Sequence, residues 1–181
     1  VTLKKKISSD PDTLIVDFGN TGCTDNRGNT RTGTMIMIFS GDRKASHSVT
    51  FSNFFINNRK IEGTRTVTRT SVLPLTSTVT MSGGKITWPD GTFATREASH
   101  TRVWNRTIPA SADDNLVIKQ GGTASGTNRN GKAYSTQLIT DIVFKFGCNQ
   151  GTKKILLPVS GTKVITVGEK TITIEIGRAH V

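Results

Sequence analysis

From Ile15 onward the chain repeats one local plan: a short run of apolar and β-branched residues, a knot of Gly, Asn or Asp, then another such run. The opening instance spans Ile15–Gly41, where Ile15-Val16-Asp17-Phe18 passes Gly19-Asn20-Thr21-Gly22 and Cys23. It turns at Asn26-Arg27-Gly28-Asn29 into the most apolar run of the chain, Met35-Ile36-Met37-Ile38-Phe39. Glycine and asparagine tolerate the positive φ that tight hairpin connections demand. Comparable knots follow at Asn57-Asn58, Pro89-Asp90-Gly91, Asn128-Arg129-Asn130-Gly131 and Ser160-Gly161. Turn signals spaced about ten residues apart, with no amphipathic helix between them, predict an all-β chain. The expected architecture is an antiparallel, hairpin-rich meander of about nine to twelve strands, forming a sandwich or barrel-like single domain over residues 1–174.

The residues between the knots say how wet such a sheet should be. Only 34% of the 181 residues are hydrophobic, while glycine (18) and threonine are abundant. Threonine is stiff at its branched Cβ and suits the polar face of a half-exposed strand. Along Ile61–Thr70, Thr64, Thr66, Thr68 and Thr70 alternate with Arg65, Val67 and Arg69, so this strand is expected at an edge or wet on both sides. Thr76–Met81 reads as a strand ended by Gly83-Gly84, with Lys85–Trp88 as a separate one, and Phe93–Glu97 and Ser99–Thr107 carry the return. Further strands are expected at Leu116–Gln120, Thr123–Thr127, Leu138–Phe146, Lys154–Val159 and Lys163–Val167, and a helical turn in the Ser111–Asn115 loop.

Twenty-four Lys+Arg against 13 Asp+Glu give a formal net charge of +11. Such an excess favours anionic partners, namely nucleic acid, acidic polysaccharide or membrane phosphates; a basic surface kept for solubility is the other explanation. Lys4-Lys5-Lys6 is the one tight cluster, and charge spread along a chain argues against a nucleic-acid module. No run is long enough to cross a bilayer as a helix. Cys23 and Cys148 have no metal-ligand spacing; they form one disulfide if the protein is exported, or stay unpaired.

No catalytic, cofactor or metal site emerges. His47 and His100 lack the context of a nucleophile and an orienting carboxylate. Asp25-Asn26-Arg27-Gly28-Asn29 superficially resembles a calcium loop, yet lacks the regular oxygen spacing and the closing glutamate. Gly121-Gly122 and Gly126 precede no helix that could cradle a phosphate. One constellation remains: Arg65, Arg69, Trp88, Arg96, Arg102, Trp104 and Arg106, on strands expected to neighbour one another. His100, Arg102, Trp104 and Arg106 share one face of their strand. Guanidinium groups beside indole rings grip anions and stack on sugars; alternatively the tryptophans pack inward and the arginines snorkel from the core.

Both ends of the chain are unusual. It begins at Val1, so a leader would lie outside it. The last heptapeptide, Glu175-Ile176-Gly177-Arg178-Ala179-His180-Val181, matches the translation of a common sequencing adapter. It is expected to be a non-native tail (175–181) on a metagenomic fragment incomplete at both ends. Removing it leaves the net charge unchanged, because it holds one arginine and one glutamate.

Several stretches together resemble a recurrent signature of uncharacterised secreted proteins and lipoproteins of the Bacteroidetes. They are Gly22-Cys23-Thr24-Asp25-Asn26-Arg27-Gly28 with Arg31-Thr32-Gly33, Ile61–Thr68, Thr87-Trp88-Pro89-Asp90-Gly91-Thr92 with Arg96-Glu97, Gly126–Gly131 and Pro158–Thr162. The resemblance implies an all-β body, export, and a secreted or outer-membrane, surface-anchored location, with no assigned activity. It also implies a further strand carrying another cysteine turn, which offers a third cysteine as partner for Cys23 or Cys148. Two functions are expected from these readings. One is a non-enzymatic envelope protein of structural or scaffolding type; the other is a binding module that holds an anionic polysaccharide or lipid head group through the Arg/Trp face.

Overall fold

The computed structural model describes residues 1–6, 12–41, 45–107, 111, 114–149 and 157–177, with backbone alone for 4–6 and 148–149. Among them the fold is nearly all strand: β1 Thr2–Lys6, β2 Asp12–Asp17, β3 Cys23–Thr24, β4 Thr30–Ser40, β5 Ser46–Ile56, β6 Arg59–Ser71 and β7 Leu75–Thr87. There follow β8 Phe93–Asn105, β9 Asn115–Ile118, β10 Thr123–Thr127, β11 Ala133–Leu138, β12 Ile142–Lys145, β13 Gly161–Val167 and β14 Lys170–Ile176. A 3-10 turn occupies Phe146–Asn149.

The sheet order is the chain order: β1-β2-β4-β5-β6-β7-β8-β10-β11-β13-β14. This is the antiparallel meander that closely spaced turns produce, because a tight turn leaves the next strand only its predecessor to pair with. β9 and β10 together form one interrupted return strand beside β8. β9 takes its far end, with Arg102 opposite Ile118 and Asn105 opposite Asn115, and β10 runs beside its start. β12 repeats this against β9, with Ile142 opposite Ile118. β1 and β14 lie at the two ends of this order, so the sheet is not closed.

Several element boundaries differ from the sequence reading, for identifiable reasons. β7 runs unbroken through Gly83-Gly84, and β8 joins the two expected return segments. β6 lies between β5 and β7 and so is no edge, while its burial alternates only weakly, as a strand wet on both faces should. The helical turn sits at Phe146–Asn149; residues 112 and 113 of the loop expected to hold one lie outside the described residues. Residues 154–156 of the expected strand at 154–159 also lie outside them, and Ser160 makes an isolated bridge with Val143. Glu175 and Ile176 complete β14, opposite Thr162 and Gly161.

Contacts group the chain into two compact units. The first comprises Val1–Thr68, Thr80–Glu97 and Gly126–Lys132; the second comprises Arg69–Val79, Ala98–Ser125 and Ala133–Val181. In the first, Val49, Phe54 and Val67 are buried, and Phe54 meets Phe51 and Phe18 at ring distances of 5.2 and 5.7 Å. In the second, Val79, Leu116, Ala124 and Ile142 are buried, and Trp104 stacks on Phe146 at 5.6 Å. No large side chain among the described residues is fully buried. The low apolar content thus takes the form of thin cores with threonine-rich faces half open to water.

Within the first unit the strands are interrupted at matching levels. The β4–β5 register shifts between Thr32 and Thr34, where Gly33 packs on the Asn53 backbone. On β6, a Cβ on Gly63 would stand 2.7 Å from Cα of Gly84, and one on Gly84 would stand 2.6 Å from the Arg96 carbonyl oxygen. Gly126 packs likewise on Thr95 of β8. Glycines aligned across neighbouring strands let backbones approach and bend together, which sharpens the local twist of the sheet.

Candidate binding surface at two hairpin turns

Three hairpins in the first unit close by one hydrogen-bond pattern. In Asp25–Asn29 the Gly28 amide donates to the Asp25 carbonyl at 3.0 Å, and the Asp25 amide to the Asn29 carbonyl at 2.9 Å. Trp88–Thr92 and Asn128–Lys132 repeat this, through Gly91 and Gly131. It is the pattern of a type I turn followed by a left-handed glycine; Gly91, at φ 82°, is the residue that needs no Cβ.

The first residue of the loop caps two of these turns. Asp25 Oδ1 accepts from the amides of Arg27 and Asn29, each at 2.9 Å, and Asn128 Oδ1 accepts from Asn130 and Lys132, each at 3.0 Å. In the middle hairpin that position is Trp88, which cannot accept, and the cap moves to Asp90. Its Oδ1 accepts from the Thr92 amide at 3.0 Å and from the Thr92 hydroxyl at 2.6 Å.

The indole thus placed at the turn is covered by a cation from the third hairpin. The Arg129 guanidinium lies 4.7 Å from the centre of the Trp88 ring. Arg129 Nε donates to Thr92 Oγ1 at 2.9 Å, and Nη2 to Asp90 Oδ2 at 2.5 Å. Stacking and two directed bonds fix the planar group, although Arg129 and Asp90 remain about half exposed, at 47% and 52%. Asp90 and Thr92 also wall a surface cleft of about 500 Å³, together with Gly91, Phe93, Thr127 and Gly131. Phe93 is 46% exposed there, with the Lys85 ammonium 4.6 Å from its ring centre.

Electrostatics follow from these bonds. The Thr92 hydroxyl, then its amide, then Arg129 lower the Asp90 pKa to about 2. The Asn29 amide and the Arg31 guanidinium, at 2.8 Å, hold Asp25 well below the usual carboxylate range. In the second unit the Thr107 amide lowers Asp114, and the Lys119 ammonium lowers Asp141. Each of these carboxylates favours its charged form because it accepts hydrogen bonds at a loop.

The residues singled out from sequence divide between the units. Arg65, Trp88 and Arg96 fall in the first; Arg69, Arg102, Trp104 and Arg106 fall in the second. Arg65 is half-buried on β6 opposite Val49, and Arg96 is exposed on β8. Arg102 is half-buried opposite Ile118, and Trp104 is stacked on Phe146. Arg106 is exposed just beyond β8 and acts electrostatically on Asp114. Trp88 alone joins the cluster described above. Arg129, which completes it, is missing from the sequence reading because Asn128-Arg129-Asn130-Gly131 is legible there only as a turn. Cys23 is a half-buried free thiol opposite Arg31, and the side chain of Cys148 lies outside the described residues. His47 meets Phe39 at 5.9 Å between rings. No group of three metal-ligating side chains, and no helix long and apolar enough to cross a membrane, occurs among the described residues. The latter says nothing of strands.

No protein-family model, curated protein or solved structure matches the chain.

Proposed function

We propose that the protein is a non-enzymatic, exported β-meander that binds an anionic polysaccharide at the paired turns of β7–β8 and β10–β11. The observation that carries this reading is the Arg129 guanidinium, fixed flat over Trp88 by Thr92 and Asp90 at the rim of a cleft. A long side chain held in place and still half exposed loses little freedom on meeting a ligand. The +11 charge supports an anionic partner, and the family resemblance supports export to the cell surface. Retention on acidic-polysaccharide resins at moderate salt, set against neutral glucan, tests it. Retention that falls with added salt is expected, and equal elution from both resins overturns it.

A second reading, a purely structural envelope protein, is favoured by a separate observation: the turns also bind one another. Asn57 Oδ1 accepts from the Thr30 amide at 2.9 Å, and Asn57 Nδ2 donates to Asn29 Oδ1 at 3.1 Å. The Arg129–Asp90 bond then acts as one more tie between hairpins. No polysaccharide or lipid should raise the melting temperature in that case.

A further inference from the structure

We infer, resting on the polysaccharide reading, that the ligand is a carboxylate-bearing polymer such as a polyuronate, gripped by the outer edge of Arg129 and by the Phe93 cleft. Guanidinium has five N–H donors in one plane. Arg129 directs Nε and one Nη2 hydrogen at Thr92 and Asp90, so its Nη1/Nη2 edge points away from them. That edge carries two parallel N–H groups, the fork that a planar carboxylate accepts bidentately.

The cleft beside it fits the uncharged part of such a ligand. A volume of about 500 Å³ accommodates a sugar ring. The exposed Phe93 ring offers an apolar surface to the ring's C–H face, and Asp90, Thr92 and Thr127 are the polar residues of the cleft wall. Arg129 is not part of the cleft wall; it is reached through Asp90 and Thr92, which belong to both. A sugar seated against Phe93 therefore leaves the Arg129 edge to the next sugar along, which requires a polymer. Lys85, Arg129 and Lys132 outnumber Asp90 at these turns, so the surface favours an acidic chain over a neutral one.

Calorimetric titration with polygalacturonate, galacturonate monomer, dextran sulfate and dextran tests this, using the parent chain and three variants. Arg129→Lys keeps the charge and loses the fork, Phe93→Leu keeps apolar bulk and loses the ring, and Arg106→Lys changes an exposed arginine of the second unit. Polygalacturonate should bind, the monomer about tenfold or more weakly, and dextran sulfate more weakly than polygalacturonate. Arg129→Lys and Phe93→Leu should each lose about tenfold or more, while Arg106→Lys matches the parent. If neither polygalacturonate nor dextran sulfate binds the parent, the polysaccharide reading and this site fall together. If polygalacturonate binds but Arg129→Lys and Phe93→Leu bind equally well, the general reading stands and this site is wrong. Dextran sulfate, a polyanion without carboxylates, binding at least as well as polygalacturonate overturns the carboxylate assignment. Melting curves accompany each variant; should Arg129→Lys melt early, Phe93→Leu and the polymer–monomer ratio decide the matter.

Discussion

Single carboxylates close the loops of this protein, and their chemistry sets its response to acid. Asp90 titrates at about 2 when folded, against an ordinary value of 3.8. Because the folded value is the lower one, the Asp90 bonds stabilise the fold fully above the ordinary value and lose that contribution as pH falls towards 2. Asp25 is lowered as well and acts in the same direction. Melting temperature should therefore change little between pH 7 and 5 on their account and drop below pH 4. Asp90→Asn should flatten part of that drop, and an unchanged acid limb in the variant would refute the role given to Asp90. A milder effect is expected for Asp25→Asn at neutral pH. The amide keeps an acceptor for the Arg27 and Asn29 amides and loses the Arg31 ion pair, which at this exposure contributes little.

At the scale of elements, glycines of two kinds part company. Gly28 stands at φ 79° with nothing within 4 Å of the place a Cβ would occupy, so Gly28→Ala should cost about 1 kcal/mol, the left-handed penalty alone. Gly63 stands at φ 113°, and a Cβ there would lie 2.7 Å from Gly84 Cα. Gly63→Ala should cost about 3 kcal/mol or more, because the ladder itself must shift. Urea denaturation of both variants measures the contrast, and equal midpoints would mean that the strands are not held close at Gly63. The contrast also shows what a sequence discloses. Hairpins were legible because a turn's needs are local: Gly91 and Asn58 sit where positive φ is required, and neighbours in sequence supply the bonds. The alignment of Gly33, Gly63, Gly84 and Gly126 was not legible, since it depends on register between strands far apart in sequence. Arg129 escaped for the same reason. Nothing within Asn128–Lys132 reveals that the adjacent hairpin places Trp88 beneath it.

Across the whole molecule the unusual feature is a strand order that does not close, with few buried apolar side chains among the described residues. An open order has two terminal strands, and β14 is the one whose side chains are described along its whole length. It pairs with β13 from Lys170 opposite Val167 to Ile176 opposite Gly161. Lys170, Thr171, Ile172 and Thr173 are exposed, Ile172 by 57%, and no charge interrupts Thr171–Ile174. A β-branched run on a terminal strand offers unpaired backbone groups to another chain, and a charge placed there is the usual protection. Ile172→Lys should therefore slow association while leaving the fold intact, since the isoleucine it replaces is mostly in water. Light scattering during incubation at moderate temperature should rise later and less than for the parent, at an unchanged melting temperature. If both scatter alike, association runs through another surface, and the exposed Val72-Leu73 tip between β6 and β7 becomes the next to charge, Leu73 being 89% exposed. If the variant instead melts several degrees lower, Ile172 packs against something in solution, and β14 is not the open edge argued for.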